Sequence, residues 1–204
     1  MDFSSLTSSL HAITSVLNIP VIIALFLAVF IVIYQFGSIV VEFFVERFKR
    51  KPEVTKVIED ISGKAPADKE KIIRANPFQI KQKKIFIRML KNSAMPHEEQ
   101  VLLATQLLSD EEARLTKRVV LIDIIVRLAP MLGLMGTLIP LGPGLIALGQ
   151  GDTQALSDSL LAAFDTTIVG LATSGFAYVL SKIRKRWYQK DLMIVESILE
   201  GVIV

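Results

Sequence analysis

Long apolar stretches alternate with charged ones along this chain. Ile19 to Val41 has no charged residue, Leu128 to Leu148 has none, and Leu160 to Leu180 has only Asp165. Each is longer than the roughly 20 residues an α-helix needs to cross about 30 Å of hydrocarbon. The pattern predicts three transmembrane helices. Ahead of the first, Phe3, Leu6, Leu10, Ile13 and Leu17 recur at helical spacing. That predicts a short amphipathic helix lying on the outer membrane surface. The apolar run lacks a basic n-region and a small-residue cleavage site, so the N-terminus does not read as a secretory signal peptide.

Residues 46 to 118 are charged and helix-rich. Pro52, the Ser62-Gly63 pair and Asn76-Pro77 punctuate them. Phe78 to Leu90 reads as a basic helix with Ile80, Phe86, Ile87 and Leu90 apolar. Pro96 opens another helix ending near Leu108. Ser109-Asp110-Glu111-Glu112 reads as a capping box that starts the next one, which runs without a breaker up to Pro130. Asp123 and Arg127 lie four apart on it. After Ser181, Ile183, Trp187, Ile194, Ile198 and Val202 continue the third span as an amphipathic helix whose apolar face needs a partner, in this chain or another copy.

The predicted fold is all-α: an integral membrane protein with three transmembrane helices extended into a cytoplasmic helical region. The expected divisions are an outer helix 1–18, spans 19–45, 119–149 and 159–181, a cytoplasmic region 46–118, an outer loop 150–158 and a cytoplasmic C-terminal helix 182–204.

Charge sets the orientation. All 23 Lys and Arg fall between Arg47 and Arg127 or after Ser181. Basic residues stay on the cytoplasmic side. The N-terminus is therefore expected outside and the C-terminus in the cytoplasm of a cell-membrane protein. Half of the chain is apolar and mean hydropathy is +0.51, which a soluble domain with this many charges would not show. There is no Cys. His97-Glu98-Glu99 resembles the start of a zinc-protease motif, but Val101 stands where its second His would be. No metal, cofactor, phosphate-binding glycine loop or nucleophile elbow is expected, and no enzyme. The charge distribution does not suggest nucleic acid.

Polar positions inside the spans carry the candidate chemistry. Gly133 and Gly136 give the second span a small face, with Thr137 beside it; Pro130, Pro140 and Pro143 also lie in it. On the third span Ala163, Thr167, Gly170 and Ser174 share one face, flanked by Ala162 and Thr166. Small faces let helix backbones approach closely in lipid. At 1.5 Å per residue, Thr137 is about 14 Å above Leu128 and Thr167 about 12 Å below Ser159. Both reach the middle of the bilayer, where two hydroxyls at one depth suit a polar pathway. Asp165 lies about 9 Å in from the outer surface. An ionisable side chain there reads as functional, either as a relay carboxylate or as a cation site; a structural hydrogen bond is the alternative.

Ala129 to Leu138 (APMLGLMGTL) and Ala163 to Leu180 (AFDTTIVGLATSGFAYVL) resemble the second- and third-span signatures of the MotA/TolQ/ExbB proton-channel family. The close match covers about 55 residues, Leu128 to Lys182; the layout resembles the three-span TolQ and ExbB members. The resemblance implies a subunit of an ion-driven motor: a homo-oligomeric ring, five copies in the family, around the single-span helices of two copies of an ExbD/TolR-like partner. A partner aspartate would take up and release the transported proton or sodium ion. Thr137 and Thr167 match the family's pore threonines, and Ala129-Pro130 and Gly133 to Gly136 its packing residues. Two departures stand out. The family's glutamate position, five before the third-span threonine, is Ala162 here, and the acid appears at Asp165 instead. Pro140 to Gly144 (PLGPG) is also unlike the family and predicts a bend.

A non-conducting oligomeric scaffold, organising partners through inside helices that include Phe86 and Ile87, is the competing expectation. A lone solute carrier fits less well, because three spans without an inverted repeat offer little for alternating access.

Overall fold

The computed structural model describes residues 3–44, 54–61 and 64–203. These form α1 (Phe3–Glu42), α2 (Val54–Ile61), α3 (Pro66–Ala75), α4 (Ile80–Lys91), α5 (His97–Gly149) and α6 (Thr153–Ile203). No strand occurs among the described residues. Three of the helices, α1 from Ala12 onward, α5 and α6, are long and apolar enough to cross a membrane. The fold class is as expected: an all-helical membrane protein. Pro52, Ser62 and Gly63 lie outside the described residues.

Three local expectations are corrected. Residues 3–18 are helical, but they do not form a separate element: α1 continues through Pro20 to Glu42. Nothing between Ile13 and Pro20 imposes a turn, and the one backbone hydrogen bond lost at Pro20 does not end the helix. Ser109 is not an N-cap. Buried Ala104, Leu107, Glu111, Leu115, Val119 and Ile122 recur every three or four residues straight through it, so one continuous face overrides the local capping signal. The loop 150–158 shrinks to residues 150–152.

That loop is short because both of its ends are capped. Gly151 has φ +83°, a left-handed conformation that glycine adopts without steric cost. Asp152 N–H donates to the Ala147 carbonyl and Gly151 N–H to that of Leu148, closing a Schellman motif. Asp152 Oδ1 then accepts from Ala155 N–H at 2.9 Å and opens α6.

The chain divides into two units. The first comprises residues 1–37 and 120–182. Its interior holds Val21, Leu25, Ala28 and Val32 of α1, Ile122, Ile125 and Ala129 of α5, and Ala163, Ala177 and Leu180 of α6. The second comprises residues 38–119 and 183–204. Its core joins Val57, Ile61, Ile73, Phe78, Phe86, Met89, Leu90 and Ala104 with Val195, Ile198, Leu199 and Val202. The apolar face of the C-terminal helix therefore finds its partners within this chain. Phe86 is fully buried, whereas Ile80 is 77% exposed on α4.

Candidate ion pathway

In the first unit, α5 and α6 meet along their small residues. A Cβ placed on Gly170 would lie 2.7 Å from the Ala129 carbonyl oxygen and 2.9 Å from Gly133 Cα. One on Gly133 would lie 3.1 Å from the Thr166 carbonyl oxygen. One on Gly136 would meet the Thr166 side chain at 2.8 Å, and one on Gly144 the Ser159 side chain at 2.9 Å. At Gly133 and Gly170 backbone occupies the space a side chain would take, and that obstacle cannot swing away; at Gly136 and Gly144 the space is filled by the Thr166 and Ser159 side chains.

The same contact is tied by polar links. Pro130 has no N–H, so the carbonyl of Val126, four residues back, loses its helical donor. Ser174 Oγ donates to that carbonyl at 2.8 Å. The proline and the serine are thus one feature: the kink-prone site on α5 is satisfied from α6. Further along, Ser181 Oγ donates to Asp123 Oδ1 at 2.5 Å. Asp123 is engaged across the helices, while Arg127, four residues on, is exposed.

The threonines differ from one another. Thr137 Oγ1 donates to the Leu134 carbonyl at 2.6 Å, Thr166 to Ala163 at 2.9 Å and Thr173 to Val169 at 2.6 Å. Each hydroxyl is satisfied by its own helix, the usual habit of Ser and Thr in apolar helices. Thr167 is the exception: its Oγ1 is buried and has no hydrogen-bond partner among the described residues. A buried hydroxyl left unpaired costs about 1–3 kcal/mol.

The structure thus sorts the candidate residues. Pro130, Gly133, Gly136, Gly170 and Ser174 lie in the helix contact. Thr166 joins them, packed against Gly136 and bonded to its own helix, which separates it from Thr167. Since Gly136 meets Thr166 and the helices run antiparallel, Thr137 and Thr167 stand about 3 Å apart in level at 1.5 Å per residue. No hydrogen bond links them among the described residues. Asp165 and Ala162 are both exposed on the first unit's surface. The acid therefore occupies the same open side of α6 as the position three residues earlier.

Sequence reasoning missed the most deeply buried cation of the second unit. Arg184 lies inside the basic run 182–186 but is only 3% exposed. It donates to Ser38 Oγ at 3.0 Å and pairs with Glu42 at 3.5 Å. Its spacing from Tyr188, four residues on and also buried, was the available signal.

A family model described as the MotA/TolQ/ExbB proton channel family matches residues 78–197. A comparison with curated proteins gave no match.

Proposed function

From the premise that the chain belongs to the MotA/TolQ/ExbB proton channel family, we propose that it is a subunit of an ion-driven membrane motor. Five copies surround two copies of a small single-span ExbD/TolR-like partner, and the flow of protons or sodium ions through the ring drives work across the envelope. The N-terminus lies outside the cell membrane and the C-terminus in the cytoplasm. The chain has no cofactor and catalyses no covalent step.

The observation that carries this reading is the buried, unpaired hydroxyl of Thr167. A threonine can donate one hydrogen bond and accept two. Its three membrane neighbours satisfy theirs locally; Thr167 keeps its capacity for a group from outside this chain. A titrating aspartate on a partner helix, or the water or ion passing it, supplies that group. Asp165 offers a carboxylate on the exposed side of α6, suited to collecting a cation before it reaches mid-membrane.

The scaffold reading loses one of its named contacts. Phe86 is fully buried in the core of its own unit, so changing it tests folding rather than docking.

Native mass spectrometry of the complex, purified gently from its own cells, tests the assembly. A ring of five copies holding two copies of a one-span protein is expected. A lone oligomer, with no such partner even after crosslinking in the membrane, would contradict the motor. Asp165→Asn is expected to change the pH or sodium dependence of ion flux; an unaltered response would remove Asp165 from the pathway.

A further inference from the structure

The second unit carries two complementary surfaces that do not pair with each other within one chain. The first is a groove of about 590 Å3 between the start of α5 and the end of α6. Val101, Leu108, Leu199 and Ile203 give it an apolar lining, and Glu196 and Glu200 stand in it as exposed carboxylates. Exposed Glu98 and Glu112 continue the same face of α5, three residues before Val101 and four after Leu108. None of these four carboxylates has an ion-pair partner among the described residues.

The second surface lies on α4, a helix without an acidic residue. Lys81, Lys84, Arg88 and Lys91 are all exposed and recur at three- and four-residue spacing, so they form one stripe. Exposed Ile80 and half-buried Ile87 border that stripe on one side. The four cations likewise have no ion-pair partner among the described residues. We propose that the α4 stripe of one copy docks in the acidic groove of a second copy of this chain.

Charge, length and chemistry agree on that occupant. Four cations meet four carboxylates, and Ile80 and Ile87 find an apolar lining to bury against. At 1.5 Å per residue the stripe from Lys81 to Lys91 covers about 15 Å and the face from Glu98 to Glu112 about 21 Å, so the stripe fits along the groove. Glu196 and Glu200 are like charges four apart, as are Lys84 and Arg88, and each pair destabilises its own helix. Opposite charge from another molecule relieves both. Because ridge and groove are different surfaces of one chain, the contact is head-to-tail, the kind that closes into a ring. It rests on the oligomeric reading proposed above only for the presence of several copies; the ion path plays no part.

The chain has no Cys, so engineered ones are unique. Two differently tagged full-length copies are co-expressed in their own cells, one with Lys84→Cys and the other with Thr105→Cys, an exposed groove position midway between Glu98 and Glu112. Membranes are treated with a short bismaleimide. A crosslink joining the two tags is expected. It should fall by about fivefold or more when the Thr105→Cys copy also carries Glu196→Lys and Glu200→Lys, and recover when the other copy carries Arg88→Glu and Lys91→Glu. A single chain with both cysteines should give a ladder beyond dimers; dimers alone would overturn the head-to-tail contact. Tags that co-purify without crosslinking would overturn this contact and leave the ring standing, whereas tags that do not co-purify would overturn both. Crosslinking of Thr105→Cys only to a different protein would overturn it in favour of a basic segment of the partner, and crosslinking undiminished by the reversed charges would overturn the electrostatic fit.

Discussion

The α5–α6 contact of the first unit and the core of the second are held together by opposite means. The first uses residues with almost no side chain, Ala129, Gly133, Gly136 and Gly170, and polar links such as Ser174 to Val126. The second uses bulk: Phe86, Met89, Ile61, Ile73 and Ile198 are essentially without exposure. The solvent explains the difference. In water, burying apolar side chains is itself favourable. Lipid tails are as apolar as leucine, so membrane helices gain nothing by hiding bulk from them and rely on close backbone approach and hydrogen bonds instead. A glycine in the first unit therefore corresponds to a phenylalanine in the second.

The comparison breaks most sharply at Gly170. Gly170→Leu drives a side chain into the Ala129 and Gly133 backbones, and neither can move aside. Loss of the folded bundle is expected, read as failure to recover monodisperse protein from membranes; normal yield and melting would refute the glycine contact. Phe86→Ala follows, costing about 3–5 kcal/mol by emptying a filled core site. Its check is thermal unfolding, and proteolysis should cut first within the second unit.

Ser174→Ala is smaller, about 1–2 kcal/mol, because it leaves the Val126 carbonyl unanswered. The sharper form is a double-mutant cycle. Pro130→Ala restores a helical N–H to that carbonyl, so Ser174→Ala should cost less in the Pro130→Ala background. Strict additivity of the two changes would dissolve the proposed link.

The smallest effect concerns Tyr188. Burial pushes its phenol above the ordinary value of 10.0, the negative charge of Glu42 adds to this, and Arg118 and Arg184 oppose it. The neutral form is favoured in the folded state. Its contribution to stability is full below the ordinary phenol value and is lost as pH rises through the folded one. Tyr188→Phe should therefore flatten the alkaline limb of a stability–pH curve. An identical alkaline limb would contradict this.

Much of this architecture was legible in the sequence, for a physical reason in each case. The spans announce themselves because hydrocarbon tolerates so few charges. The small faces of Gly133, Gly136 and Gly170 follow from helical spacing alone. Other features depend on tertiary context. Ser109 to Glu112 has every residue of a capping box, yet the buried face running through it keeps the helix intact. Residues 153–158 look polar enough for a loop, but Asp152 caps a helix there. Thr137, Thr166, Thr167 and Thr173 are alike as letters; only packing shows which hydroxyl goes unsatisfied. The link from Ser174 to Pro130 needs both the proline rule and the register of two helices, and the sequence supplies only the first.

Ion flux through the reconstituted complex, compared for Thr167→Val and Thr173→Val, tests the central claim most directly. Both changes remove one hydroxyl and keep the shape. Thr173 bonds its own helix and the Thr167 hydroxyl bonds nothing among the described residues, so Thr167→Val should cut flux by about tenfold or more, roughly 1.4 kcal/mol in barrier terms, while Thr173→Val stays near the unmodified rate. Equal flux in the two variants, at equal assembly, would contradict the assignment of Thr167 to the ion path.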